Sequence, residues 1–336
     1  MLTDPPPVLV LRSAGADLGA GADAHDRQKG CGIKPGALRL SSCGYSFMVS
    51  LQRHIARNQI YIYAAENDLD LPLDTYLDVL LPRLLKNPER VWNARELAAY
   101  GLAKDRAFDP GTRYGESDTG YLLLGVVLER VTGSSLNALY QEFVFEPLGM
   151  SASSAPLSMP TGGDVLNGFR SGTTEDGKTS CAEPLDVTAL SPTAGGAAAG
   201  VVSDVDDLAT YARALAAGAR SYDTEGRFAD ARTLRSQPSW FTADGGAFQA
   251  GSLVGQYGSI PGYLTAAFGD RETGLAVVVV LNNSRASAAL VRTLAWQLAA
   301  VASKAPAAEG RTAPESGLPW TAESLAGTIS ETAVCS

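Results

Sequence analysis

Apolar residues at Phe47, Met48, Leu51 and Ile55 recur at the spacing of a helix with one apolar face, and Ser41 or Ser42 sits at its start. A second helical pattern runs from Tyr121 through Leu122, Leu123, Leu124 and Gly125 to a stop at Thr132-Gly133, and a further helix behind it is ended by Pro147. Towards the C-terminus the period changes. Three β-rich runs, Phe248 to Val254, Tyr263 to Phe268 and the branched Ala276 to Val280, predict adjacent antiparallel strands, and Ala286 to Val301 predicts an Ala/Leu-rich helix. At the other end Val8 to Arg12 reads as a short strand, followed by a weakly patterned Gly/Ala/Asp-rich connection through Gly32. Beyond Ser303 an Ala/Pro/Glu/Ser composition reads as a tail with little to bury. The sequence carries no internal repeat.

Composition narrows the partners. At 336 residues the chain is long enough for a full core, arranged as one large two-lobed domain or two modest ones. Acidic residues outnumber basic ones by 36 to 27, for a formal charge of -9 without a Lys/Arg-rich block. That balance argues against nucleic acid or an anionic membrane and suits a small neutral or cationic molecule. Met1-Leu2-Thr3-Asp4 carries no basic region before its three prolines, Val8 to Leu11 is too short for a signal core, and Leu275 to Leu281 is too short to span a bilayer. Cys31, Cys43, Cys181 and Cys335 form no Cys-x-x-Cys pair, so the expectation is a reduced, cytoplasmic protein. His25 and His54 lack metal-ligand spacing, and neither a zinc site nor any cofactor is implied.

One stretch carries more than periodicity. Pro110-Gly111-Thr112 leads through Glu116-Ser117-Asp118 into the helix at Tyr121 and closes on Glu146-Pro147-Leu148-Gly149-Met150, and it resembles the helical lobe of the penicillin-recognising serine hydrolases. These include class C β-lactamases, D-alanyl carboxypeptidases and related esterases and transacylases. Further resemblance lies in Leu69 to Leu85, in Gly195-Gly196 through Val202-Ser203, Asp206-Asp207-Leu208 and Tyr211, and in Gln256-Tyr257-Gly258 followed by Pro261-Gly262-Tyr263, so that it covers about Leu38 to Leu281. The resemblance implies an α/β (α+β) β-lactamase-like fold, an antiparallel sheet flanked by helices plus a helical lobe. On that template residues 1–60 and 195–303 form the sheet lobe, 61–194 the helical lobe and 304–336 a tail. The final helix covers the sheet in relatives.

The same resemblance exposes three altered motifs. Relatives place a nucleophilic serine three residues before a lysine at a helix start, so that the lysine takes the serine proton. Here the serine is Ser42 and the lysine position holds Tyr45. A phenol with a pKa of about 10 donates a hydrogen bond more readily than it accepts a proton. The bland reading makes Ser41 or Ser42 a helix cap and Tyr45 a filler. Relatives then supply a proton-shuttling tyrosine and a substrate-holding asparagine, and at those positions stand Glu116 and Asp118. Two carboxylates in one small apolar site repel, which raises at least one pKa towards neutrality. The bland reading assigns both to the positive end of the helix that begins near Thr119. In the third motif Gln256 replaces the cation that binds substrate carboxylate, so penicillin hydrolysis is not expected. Cys43 sits near the same helix start as Ser42 and reads as structural, and His54 reads as surface.

Three functions follow from these replacements. In the first, Glu116 or Asp118 moves a proton while Ser42 and Tyr45 polarise a carbonyl or hydroxyl, giving a biosynthetic cyclase, isomerase, lyase or addition enzyme. In the second, Ser42 attacks an ester or thioester with Glu116 as base and an oxyanion hole near Ser42 and Gly258. In the third the protein binds a metabolite without converting it. The pocket common to all is Ser42, Tyr45, Glu116, Asp118, Gln256, Tyr257 and Gly258, facing a small-molecule substrate. The oligomeric state is not legible.

Overall fold

The computed structural model of the protein describes residues 74–102, 115–162, 165–173, 179–218, 232–234, 237–244, 246–270, 273–304 and 318–334, together with Phe108. Ser42, Tyr45, Cys43, His54, the strand expected at Val8 to Arg12 and the Pro110-Gly111-Thr112 turn lie outside the described residues.

Helices α1 (Asp74–Lys86), α2 (Ala94–Leu102) and α3 (Asp118–Thr132) open the described chain. They bury Leu80, Leu84, Trp92, Leu97 and Leu122 against one another. The end of α3 falls where the sequence puts it: Gly133 takes the left-handed conformation and its N–H closes on the Glu129 carbonyl. The next helix is less regular. α4 (Leu136–Tyr140) runs through a π turn at Gln141–Phe145 into α5 (Glu146–Leu148). Pro147 was expected to stop this helix, yet it lies inside the last turn. A proline there lacks an N–H and crowds the carbonyl four residues back, and the wider π turn just before it relieves that crowding. The chain stops instead at Gly149, at φ 70°, with Met150 N–H bonded to the Phe145 carbonyl at 2.8 Å. Gly149→Ala forces an L side chain into the left-handed region and is expected to cost about 1–2 kcal/mol, read as a lower urea midpoint with an unchanged slope.

Strands β1 (Phe169–Thr173) and β2 (Thr179–Asp186) form a separate hairpin within the segment assigned to the helical lobe. It is fastened to the main sheet by a bridge between Phe169 and Asn283. A short helix α6 (Gly196–Ala199) and the longer α7 (Val205–Ala216) lead into that sheet. Asp204 caps α7, and the buried Asp207 in its first turn accepts from Ser153 Oγ at 2.7 Å and Ala152 N at 2.9 Å, which ties the end of the helical lobe to α7.

Among the described residues the main sheet is antiparallel, with order β3 (Arg232–Thr233), β4 (Phe241–Asp244), β5 (Ala247–Ala250), β6 (Leu253–Ile260), β7 (Tyr263–Asp270) and β8 (Ala276–Leu281). The run Phe248 to Val254, expected as one strand, is two: Gly251 at φ 58° turns the chain between β5 and β6. Strand alternation then sorts the side chains. Phe241, Phe248, Leu253, Leu264, Ala266, Phe268, Val277 and Val279 face helix α8 (Ala288–Ala302) and meet Val291, Ala295 and Trp296. Val254 faces the other way, onto Leu215 and Ala216 of α7. α7 comes so close that a Cβ on Gly269 would lie 2.4 Å from the Ala212 carbonyl oxygen.

The segment beyond Ser303 departs from expectation. Residues 318–334 do not behave as a tail: helix α9 (Ala322–Thr332) packs on α8, and Trp320 is buried, stacked 5.1 Å from Trp296 with its indole N–H on the Trp296 carbonyl at 2.9 Å. Low overall hydrophobicity hid it, because one tryptophan with Leu325 and Ile329 supplies the apolar contact. Among the described residues no single helix is long and apolar enough to cross a membrane.

Candidate active site

Ser117 sets the geometry of the second motif. It is buried and extended, and its Oγ accepts from Gly120 N at 3.0 Å as the cap of α3. Glu116 therefore stands just before the helix and Asp118 is its first residue. The third motif reaches them from the sheet. Gln256 lies on β6 with Val254, on the face away from α8, and its Nε2 approaches Glu116 Oε1 at 3.5 Å.

Gln256 also does something the sequence did not reveal. Pairing between β5 and β6 runs only as far as Phe248 and Gly255. Just past that point Gln256 Nε2 donates to the Gly246 carbonyl at 3.2 Å and its Oε1 accepts from Tyr257 N at 2.8 Å. The side-chain amide, with one donor edge and one acceptor edge, thus takes the place of a peptide rung where the strands part. Gly258, two residues on and on the same face, has open space where a Cβ would project among the described residues.

Tyr257 goes the other way. The alternation that brings Gln256 to Glu116 turns Tyr257 onto the α8 face, 5.2 Å from the Phe248 ring, where its hydroxyl accepts from Arg292 at 3.1 Å. Burial raises its pKa, and Glu116 adds to the rise while Arg292 opposes it. Arg292 is a residue the sequence reading missed. It is the one charged side chain within α8, enclosed by the rings of Trp296, Phe241 and Tyr257 at 4.6, 5.0 and 5.0 Å, and that isolation in an Ala/Leu-rich helix was its signal.

Tyr121 is a second omission. It sits one turn beyond Asp118 on the same face of α3, and a Cβ on Gly246 would lie 2.4 Å from its hydroxyl. Only a glycine leaves room there. Read along the chain, it passed for one more apolar residue of a buried helix.

Burial dominates the electrostatics. It pushes Glu116 up to about 7, and Asp118 adds to the rise while the Gln256 hydrogen bond and the Arg292 charge oppose it. Asp118 is also raised, by burial alone. Burial thus outweighs whatever stabilisation these carboxylates draw from the positive end of the helix. Tyr121 is raised by burial and then by Glu116, and Tyr140 is pushed up to about 12 by burial and Tyr211. Near neutrality the site therefore holds a carboxyl poised to gain or lose a proton beside phenols that keep theirs.

A protein-family model described as Beta-lactamase matches residues 68–301. The chain belongs to the beta-lactamase family. Its match takes in Glu116, Asp118 and Gln256 and begins after Ser42 and Tyr45. Solved structures of the same fold include the D-stereospecific amidohydrolase from Streptomyces sp., at 22% identity over 70% of each chain and a TM-score of 0.57. The D-amino acid amidase from Ochrobactrum anthropi SV3 complexed with L-phenylalanine is 21% identical over 64% of this chain and 67% of its own, with a TM-score of 0.52. The penicillin binding protein from Bacillus halodurans is 19% identical over 72% and 84%, with a TM-score of 0.50. The β-lactamase/transpeptidase fold, an antiparallel sheet flanked by helices, is common to all of them. α9 lies beyond the part of the chain that the family model covers.

Proposed function

We propose that this beta-lactamase-family protein is an enzyme that acts on a small molecule by acid/base chemistry, with Glu116 as the group that takes up and returns the proton. One observation carries the reading: Glu116 meets Gln256 of the sheet while its pKa stands at about 7. A group titrating near the working pH is present in both forms and loses little driving force in either direction. The tyrosine and the cation that relatives use in these motifs are replaced by Glu116 and Gln256, which supports a cyclisation, isomerisation, elimination or addition in place of an acyl relay. A biosynthetic role fits those replacements. The test is to incubate the protein with a small-molecule cell extract and follow masses. A product formed by the wild type and absent with Glu116→Gln is expected; identical conversion by both, or conversion by neither, would end the proposal.

A second reading has Ser42 attack an ester or amide with Glu116 as its base. It is favoured by family membership, and the Streptomyces neighbour is named as an amidohydrolase. Under the first reading, a fluorophosphonate probe leaves Ser42 unlabelled in intact-mass and peptide analysis. Stoichiometric labelling at Ser42 would transfer the assignment to the acyl mechanism.

A further inference from the structure

Gln256 stands where the ladder between β5 and β6 gives out. Continuing the register past Phe248 and Gly255 would set Tyr257 opposite Gly246. The Gln256 side-chain amide lies between these two instead, accepting from Tyr257 N at 2.8 Å and donating to the Gly246 carbonyl at 3.2 Å. A flipped amide would set two donors against each other on one side and two acceptors on the other, so its orientation is fixed and its donor edge is the one turned to Glu116 Oε1. That orientation depends on the Tyr257 N–H staying in place.

Tyr257 is held from the far side of the sheet. Its hydroxyl accepts from Arg292 at 3.1 Å, the guanidinium carbon lies 5.0 Å from the centre of its ring, and Phe248 packs on the ring at 5.2 Å. Arg292 is in turn fixed by the rings of Trp296 and Phe241 at 4.6 and 5.0 Å. Contacts therefore run without a gap from α8 through Tyr257 and Gln256 to Glu116, from one face of the sheet to the other. Packing alone would be better served here by an apolar residue, since Arg292 Nε is buried in an otherwise Ala/Leu-rich helix and taking a charged group out of water is costly.

We infer that Arg292 is a positioning residue for Glu116: from the α8 face it anchors Tyr257, and Tyr257 through its N–H keeps the Gln256 amide aimed at the Glu116 carboxyl. This rests on the reading of Glu116 as the group that moves the proton, and it adds which residues hold that group's partner in place. The charge of Arg292 works in the same direction. It and the Gln256 hydrogen bond both favour the ionised carboxylate, against burial and Asp118.

The experiment is an NMR titration of the full chain labelled with carboxyl-¹³C glutamate, in which the Glu116 signal is the one absent from Glu116→Gln. Among the described residues Asp118, Tyr121, Tyr257 and Arg292 are the titratable or charged groups that interact with Glu116. Both phenols are raised and a guanidinium stays charged, so Asp118 is the only one of these that can change charge in the same range, and an aspartate carries no label. The wild-type midpoint is expected near 7. Arg292→Met, which keeps an unbranched apolar stem, moves it upwards by removing the cation and the anchor together. Tyr257→Phe keeps the cation and the ring but loses the hydroxyl, and moves it upwards by less. Gln256→Met also raises the midpoint, and in that background Tyr257→Phe adds nothing. A purely structural Arg292 would lower the urea midpoint of Arg292→Met and leave the titration of Glu116 where it was, which would overturn the assignment. A shift in Arg292→Met with none in Tyr257→Phe would reduce Arg292 to a distant charge and overturn the positioning role, as would a Tyr257→Phe shift that persists in Gln256→Met. Should Arg292→Met fail to fold, Tyr257→Phe alone and in Gln256→Met decides. The titration needs no substrate, so failure of the acid/base reading shows separately, as conversion that survives Glu116→Gln while the midpoint still follows Arg292.

Discussion

Glu116→Gln is expected to lower conversion of the true substrate by about 10²–10⁴-fold, the usual loss when a positioned acid or base is removed. The amide keeps the volume and the acceptor that faces Gln256, so the fold should persist and the loss should fall on turnover. Wild-type activity should change along a limb centred near the Glu116 pKa of about 7, and a limb near 4.5, the value of an unperturbed glutamate, would contradict the reading. The same substitution should alter stability, with a sign fixed by linkage. The folded state holds the Glu116 proton more tightly than the unfolded state does, so between about 4.5 and about 7 the native protein binds more protons and loses stability as the pH rises. The penalty is absent below that window and fully present above it, on the order of 3 kcal/mol for a shift of this size. Glu116→Gln cannot ionise and escapes it. Urea melts should therefore show the variant more stable than the wild type at about pH 8, with the gain fading as the pH falls towards 4.5. A variant equally or less stable at alkaline pH would mean that Glu116 is not desolvated as described. Stability given up at a reactive carboxyl is a common cost of function.

Trp296→Ala should produce the largest loss of stability, about 3–5 kcal/mol as expected for deleting a buried tryptophan. Trp296 sits edge-on to Trp240 and Phe241 at 5.6 and 5.0 Å and stacks on Trp320. It thereby joins the sheet, α8 and α9 in one cluster. Removing it leaves Arg292 without one of its three rings and Trp320 without its stacking partner. The expected result is a lower denaturation midpoint together with faster hydrogen exchange in α9 than in β7. If α9 exchanges as slowly as before, its docking does not depend on this cluster, and the account of the C-terminal segment fails.

Much of this was legible because the signals are local. Gly133 ends α3 since the left-handed conformation at a helix terminus favours glycine, and the branched run Ala276 to Val280 is β8 because those residues fit a pleated surface. Motif spacing was enough to nominate Glu116, Asp118 and Gln256 together, since their neighbours Ser117 and the Pro261-Gly262-Tyr263 turn mark fixed places in this fold. The side on which Tyr257 lies was not legible, because adjacent positions on a strand point to opposite faces and the motif alone does not say which face meets α8. Tyr121 and Arg292 were hidden within helices whose composition reads as core. What made them visible was the company they keep: a glycine whose Cβ would lie 2.4 Å from a phenol hydroxyl, and three rings around a guanidinium.

The residue order by itself thus determined the family and where most of the described helices and strands fall, both of which are properties of short segments. Only the folded chain decided that Gln256 bridges two parting strands while reaching Glu116, that Asp118 and Tyr121 share a face of α3, and that α9 closes over Trp296. Those facts depend on which groups lose water together and which hydrogen bonds then form, and desolvation is set by packing between segments far apart in the chain, such as 116 and 256 or 296 and 320.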